Sequence, residues 1–138
     1  MKTYSELSKL PTLKERFDYL DLTGIVGDTT FGGHREWNQE FYGSPEWREV
    51  RRKVIVRDNG CEMGLEPYTI QGPVYVHHIN PMNVEDFISR NPLLLDMDNL
   101  VCVSYSVHEA IHYGNSDAIK KYGMTERTRN DTSPWKKF

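Results

Sequence analysis

The chain has 138 residues, 38% hydrophobic and 12% aromatic, with a formal net charge of −3. That length points to one domain, and the composition supports a modest core and excludes an intrinsically disordered chain. The net charge excludes a protein that coats nucleic acid by bulk charge, although not a local basic surface. No apolar run is long enough to cross a bilayer, and the Met1-Lys2-Thr3-Tyr4 start lacks a secretory apolar stretch. A cytoplasmic location without membrane contact is expected. Cys61 and Cys102 are far apart and outside any CxxC pair, so a disulfide framework and a cysteine zinc knuckle are both excluded; two reduced thiols are expected.

Residues 4–22 read as helix interrupted by a turn at Pro11-Thr12, with Leu13, Phe17 and Leu20 at helical spacing and Thr12 with Glu15 as a capping box. Residues 23–43 are rich in Gly, Thr and aromatics and read as an irregular arm around the domain, with a short helix at Glu36–Phe41 and a lone His34. Ser44-Pro45-Glu46 is a helix start, with a capping serine, proline at the first position and an acid in the first turn. That helix runs to Asp58 and stops at Asn59-Gly60, with Trp47, Val50, Val54 and Arg57 on one stripe. It carries five basic residues, among them Arg48, Arg51 and Arg52, against three acids.

Residues 61–72 read as loop, and Pro73–Ile79 as a β-branched, aromatic strand stopped by Asn80-Pro81. A loop over 82–98 follows, with a helical turn at Val84–Arg90 and Leu93-Leu94-Leu95 against the core. Leu100–Ser104 reads as the second strand. Ser106 and Glu109 form a capping box for a short helix closed by Gly114-Asn115. A further short helix spans Ser116–Tyr122, and from Ile119 onward six basic residues stand against two acids.

Four of the five histidines lie in this half. His108 and His112 are four apart on one helical face, a spacing that suits two nitrogen ligands on one ion. His77 and His78 are neighbours in a strand and point to opposite faces, so one can join the helical pair while the other serves a different role. His108-Glu109-Ala110-Ile111-His112 also spells HExxH, in which the glutamate is the base of a zinc protease. Against that stand the short helix, the lack of any histidine after His112, and the unused His77, His78 and Asn99.

Strand with His77-His78, loop, Asn99-Leu100, strand, and helix with His108 and His112 resembles the HNH endonucleases, with their ββα-metal fold, on the pattern His78, Asn99, His108. The nine-residue step from Asn99 to His108, with His112 four later, is similar to the colicin-type DNase branch. Tyr42-Gly43-Ser44-Pro45-Glu46-Trp47 through Asp58-Asn59-Gly60 resembles the helix leading into phage-type HNH domains. The arm around Val26–Gly32 and the Asn130–Trp135 tail are similar to small phage HNH proteins. One departure is that many members carry two CxxC pairs around the motif. Here Cys61 is followed by Glu62-Met63-Gly64, and Ser104 and Val107 stand where the second pair would fall. Packing, with the N-terminal arm, must replace that zinc.

The resemblance implies an α+β chain in one structural domain: N-terminal helix and arm at 1–43, a ββα-metal core at 44–123 and a basic tail at 124–138. It implies a metal-dependent DNA endonuclease that nicks, leaving 5′-phosphate and 3′-hydroxyl ends. His78 would be the general base, and Asn99 would hold its ring through a hydrogen bond and fix its tautomer. His77, His108 and His112 would bind one divalent ion (Zn, Ni, Mn or Mg), three imidazoles favouring a borderline transition metal over magnesium. Many members have aspartate where His77 stands. Double-stranded DNA is the implied partner, with Arg48, Arg51, Arg52, Lys120 and Lys121 against its phosphates. A phage origin in a host cytoplasm, beside the terminase of the packaging machinery, is implied as well. The alternatives are a catalytically silent HNH fold that grips DNA or a protein, and the HExxH protease.

Overall fold

Pairing between two short strands organises the computed structural model, which describes residues 1–22, 35–113 and 116–122. The Val26–Gly32 arm, His34 and the 124–138 tail lie outside the described residues. The element order is α1 (Tyr4–Leu7), α2 (Leu13–Leu20), α3 (Arg35–Tyr42), α4 (Pro45–Asp58), β1 (Val74–His78), α5 (Val84–Ser89), β2 (Leu100–Ser104) and α6 (Tyr105–Tyr113), followed by a 3₁₀ segment at Ser116–Tyr122. The protein is therefore α+β. β1 and β2 run antiparallel, with Val74 opposite Ser104, His77 opposite Val101 and His78 opposite Leu100.

Strand alternation divides the interior in two. Val101 and Val103 join a cluster with Leu7, Leu13, Phe17, Leu20, Met63, Val107 and Ile111, which brings α1, α2 and α6 onto one face. Leu100 and Cys102 join Trp47, Val54, Phe87 and Leu94, which brings α4 and α5 onto the other. β2 is buried at every residue, as its unbroken apolar run requires. Cys61 and Cys102 are buried free thiols.

The helix ends follow local chemistry. Thr12 Oγ1 accepts from the Glu15 N–H at 3.1 Å, and Ser44 Oγ from the Trp47 N–H at 3.2 Å ahead of Pro45. Asn59 closes α4 in the left-handed region, φ 54°. Asn83 and Asp86 cap α5 reciprocally. The 4–22 segment is two helices rather than one, because Pro11 lacks an N–H and biases Leu10 away from the helical region. The expected Ser106–Glu109 box is replaced. α6 starts at Tyr105, Ser104 Oγ accepts from the Val107 N–H at 3.3 Å, and the Glu109 carboxylate takes the Tyr105 hydroxyl at 2.6 Å.

Buried charged groups tie the layers where the resemblance would place a zinc knuckle. The Glu62 carboxylate is fully buried and accepts from the Ser104 N–H (2.8 Å) and the Tyr122 hydroxyl. Arg57 donates to the carbonyls of Met97 (2.7 Å) and Leu100 (2.6 Å) and pairs with buried Asp58, which accepts from the Cys102 N–H at 2.9 Å. Arg16 reaches back from α2 to the carbonyls of Leu10, Met63 and Ser8. Removing one partner from such a group strands the others without water. Glu62→Ala should therefore lower the unfolding free energy by about 3 kcal/mol in urea titrations. Lys14→Ala, which breaks only the exposed pair with Asp18, should change it by less than about 0.5 kcal/mol.

Candidate metal centre and its cleft

β1 delivers His77 and β2 leads directly into α6, which delivers His108 and His112 one turn apart. The three imidazoles converge, with one ligand nitrogen of each lying within 4.8 Å of the others. Their ring centroids are 4.9 to 5.6 Å apart, in edge-to-face arrangement. His77 is buried, and its Nε2 has no hydrogen-bond partner among the described residues. A buried imidazole nitrogen without a partner, turned toward two more imidazoles, fits a metal ligand better than a packed core residue. Burial first, and then mutual repulsion, hold the His77 and His108 rings well below the ordinary histidine value, His108 to about 3. Burial lowers His112 as well. All three are neutral near pH 7, the form in which imidazole ligates. The group can hold a divalent ion, and its all-nitrogen donor set suits zinc or nickel better than magnesium.

His78 points to the opposite strand face. Its ring stacks on Trp47, centroids 5.6 Å apart and planes at 28°. Its Nε2 lies 3.1 Å from the Leu94 carbonyl oxygen. A carbonyl only accepts, so that nitrogen carries the proton and Nδ1 carries the lone pair. Burial pushes the ring down to about 4.

A cleft of about 510 Å³ explains how opposite faces serve one site. Among the described residues β1 pairs only with β2, and the cleft follows β1, touching every residue from Val74 to His78 together with His108, His112, Trp47, Tyr42 and Arg51. The imidazole cluster and His78 thus flank one groove.

Comparisons with protein-family models, curated proteins and solved structures give no match.

Among the described residues Asn99 makes no hydrogen bond to the His78 ring, contrary to the expectation from the sequence. Its Oδ1 accepts from the Asn80 N–H (2.9 Å) and side chain (2.7 Å), and its Nδ2 donates to the Leu93 carbonyl at 3.1 Å. It fixes the residue before Leu94 and so acts on His78 at one remove. The cations also separate. Arg51 lines the cleft, its Nη2 donating to the Val74 carbonyl at 2.8 Å. Arg48 turns to the Gly43 carbonyl, Arg52 pairs with Glu49, and Lys120 pairs with Asp117; none of these three lines the cleft. The Lys121 side chain lies outside the described residues. Glu109 lines a separate depression with Ser106 and Tyr113, so the HExxH reading loses its general base. The sequence reading missed Trp47 and the Leu94 carbonyl as holders of His78, and Tyr75 in the cleft. Period-two spacing before His77 could have found Tyr75, whereas a backbone carbonyl leaves no mark in residue identity.

Unfolded histidines bind a proton near pH 6.5, whereas these four resist it until lower pH. Below about pH 6.5 the unfolded chain therefore binds more protons, so stability falls as the pH is lowered. In chelator, the midpoint of thermal unfolding should be level above about pH 7 and fall steadily from about 6.5 toward 4.

Proposed function

We propose that the protein is a metal-dependent DNA endonuclease of the HNH type, with β1, β2 and α6 as a ββα-metal core. One observation carries this reading. A three-imidazole cluster and a fourth histidine of fixed tautomer, adjacent in sequence, line one cleft with an arginine. Phosphodiester hydrolysis needs an activated water and positive charge against the phosphate.

His77, His108 and His112 would hold the ion, whose charge opposes the negative charge that builds on the phosphate oxygens. The residues supply the rest. His78 Nδ1 accepts the proton of the attacking water while Nε2 stays anchored on Leu94. Trp47 fixes the ring plane. Asn99 is a positioning residue that holds Leu93, and with it the strand-to-strand connection. Arg51 has guanidinium N–H groups left for a phosphate beyond the one on Val74. Double-stranded DNA is the proposed partner, and a role beside a phage terminase rests on the resemblance alone.

Supercoiled plasmid incubated with the protein and Mg²⁺, Mn²⁺, Ni²⁺ or Zn²⁺ should relax by nicking, and chelator should stop it. His78→Ala should lower the rate about 10² to 10⁴-fold while metal still raises the melting temperature. His77→Ala should lose both the nicking and the metal-dependent shift. Plasmid left intact with every metal would favour the silent DNA- or protein-binding module.

A further inference from the structure

Tyr75 is exposed where the rest of its strand face is committed. It stands two residues before His77, so both side chains lie on the same face of β1. Its ring is parallel to that of His108, with planes at 10° and centroids 6.0 Å apart. Tyr105, the first residue of α6, lies beside it, with centroids 5.6 Å apart and planes at 49°. The two tyrosines remain 39% and 49% exposed, and Tyr75 lines the cleft. The ring keeps part of its surface in water while flanked by Tyr105 and by a candidate metal ligand, so it has surface left for a ligand to cover. Arg51, in the same cleft, offers charge to a backbone phosphate.

We propose that Tyr75 is a base-stacking platform, and that the favoured substrate is DNA whose nucleotide beside the scissile phosphate is unpaired. This rests on the nuclease reading above and narrows it. Both faces of a base inside a duplex are covered by its neighbours, so an exposed tyrosine ring can meet only a base that has left its stack. A phosphate held against the imidazole cluster places its own nucleotide within reach of the adjacent ring. Stacking tolerates any base, so Tyr75 selects for an unpaired state and not for a sequence. A protein partner would cover the same ring without needing the neighbouring cluster or Arg51.

The full-length, metal-loaded protein tests this on three end-labelled DNA substrates: a single strand, a fully paired duplex, and the same duplex with a central unpaired bulge. The single strand and the bulge should be cut with kcat/KM at least about tenfold above the duplex, the cut falling next to the unpaired base. Tyr75→Ala should bring that preference close to parity, mostly through KM, and Tyr75→Phe should restore it. Equal cutting of all three by the wild type overturns the proposal. So does a Tyr75→Ala protein that keeps the preference while losing rate on all three and binding metal more weakly, because the ring then only supports His108. If nothing is cut, the nuclease reading fails by itself, and fluorescence anisotropy with the same three DNAs decides the stacking. Tighter binding of the single strand that depends on Tyr75 upholds it, and indifferent binding ends it.

Discussion

The register of one strand pair governs this molecule. His77 lies opposite Val101 and His78 opposite Leu100, so the neighbouring histidines leave the sheet on opposite sides. A slip of one residue would exchange them, sending His78 to the imidazole cluster and His77 to Trp47. Both faces of the sheet are packed, Val101 and Val103 into one cluster and Leu100 and Cys102 into the other, which makes such a slip expensive. The placing of His77 among the clustered imidazoles and of His78 against Trp47 is thus set by hydrophobic burial in β2, a strand that carries no histidine.

Charged groups complete what a small core cannot. α4 is joined to the start of β2 by Arg57 and Asp58, and the loop after α4 is joined to the β2–α6 corner by Glu62 and Ser104. The N-terminal helices take part as well. α2 inserts Leu13, Phe17 and Leu20 beside Met63, and Ser5 donates to Asp98, which precedes Asn99. The Lys2 carbonyl accepts from Asn80, the residue that also donates to Asn99. The first residues of the chain therefore brace the connection that carries the Leu94 carbonyl and, through it, the His78 ring.

Local rules made most of the elements legible. Caps at Thr12 and Ser44, the Asn59 stop and the two strand runs all fall where residue chemistry puts them. The pairing of His77 with the helical histidines was legible too, since it needs only periods of two and 3.6. What the sequence hid is long-range and backbone-borne. The ring of His78 is held by a carbonyl 16 residues away. Asn99 donates to the Leu93 carbonyl rather than to the His78 ring, a contact that the spacing of the motif could not show. Arg52 and Lys120 read as free cations in a basic run, yet each finds an acid three residues away on its own helix. The Ser106–Glu109 pattern lost to Ser104, which the end of β2 places better to cap the helix.

The function proposed here requires that three imidazoles from β1 and α6 hold one divalent ion and leave part of its coordination open. X-ray absorption on the zinc-loaded protein tests this most directly. One ion per chain, with three imidazole nitrogens at about 2.0 Å and the remaining position filled by oxygen, is the expected result. A sulfur shell from Cys61 or Cys102, or a spectrum unchanged when His77, His108 and His112 are all replaced by alanine, would contradict it.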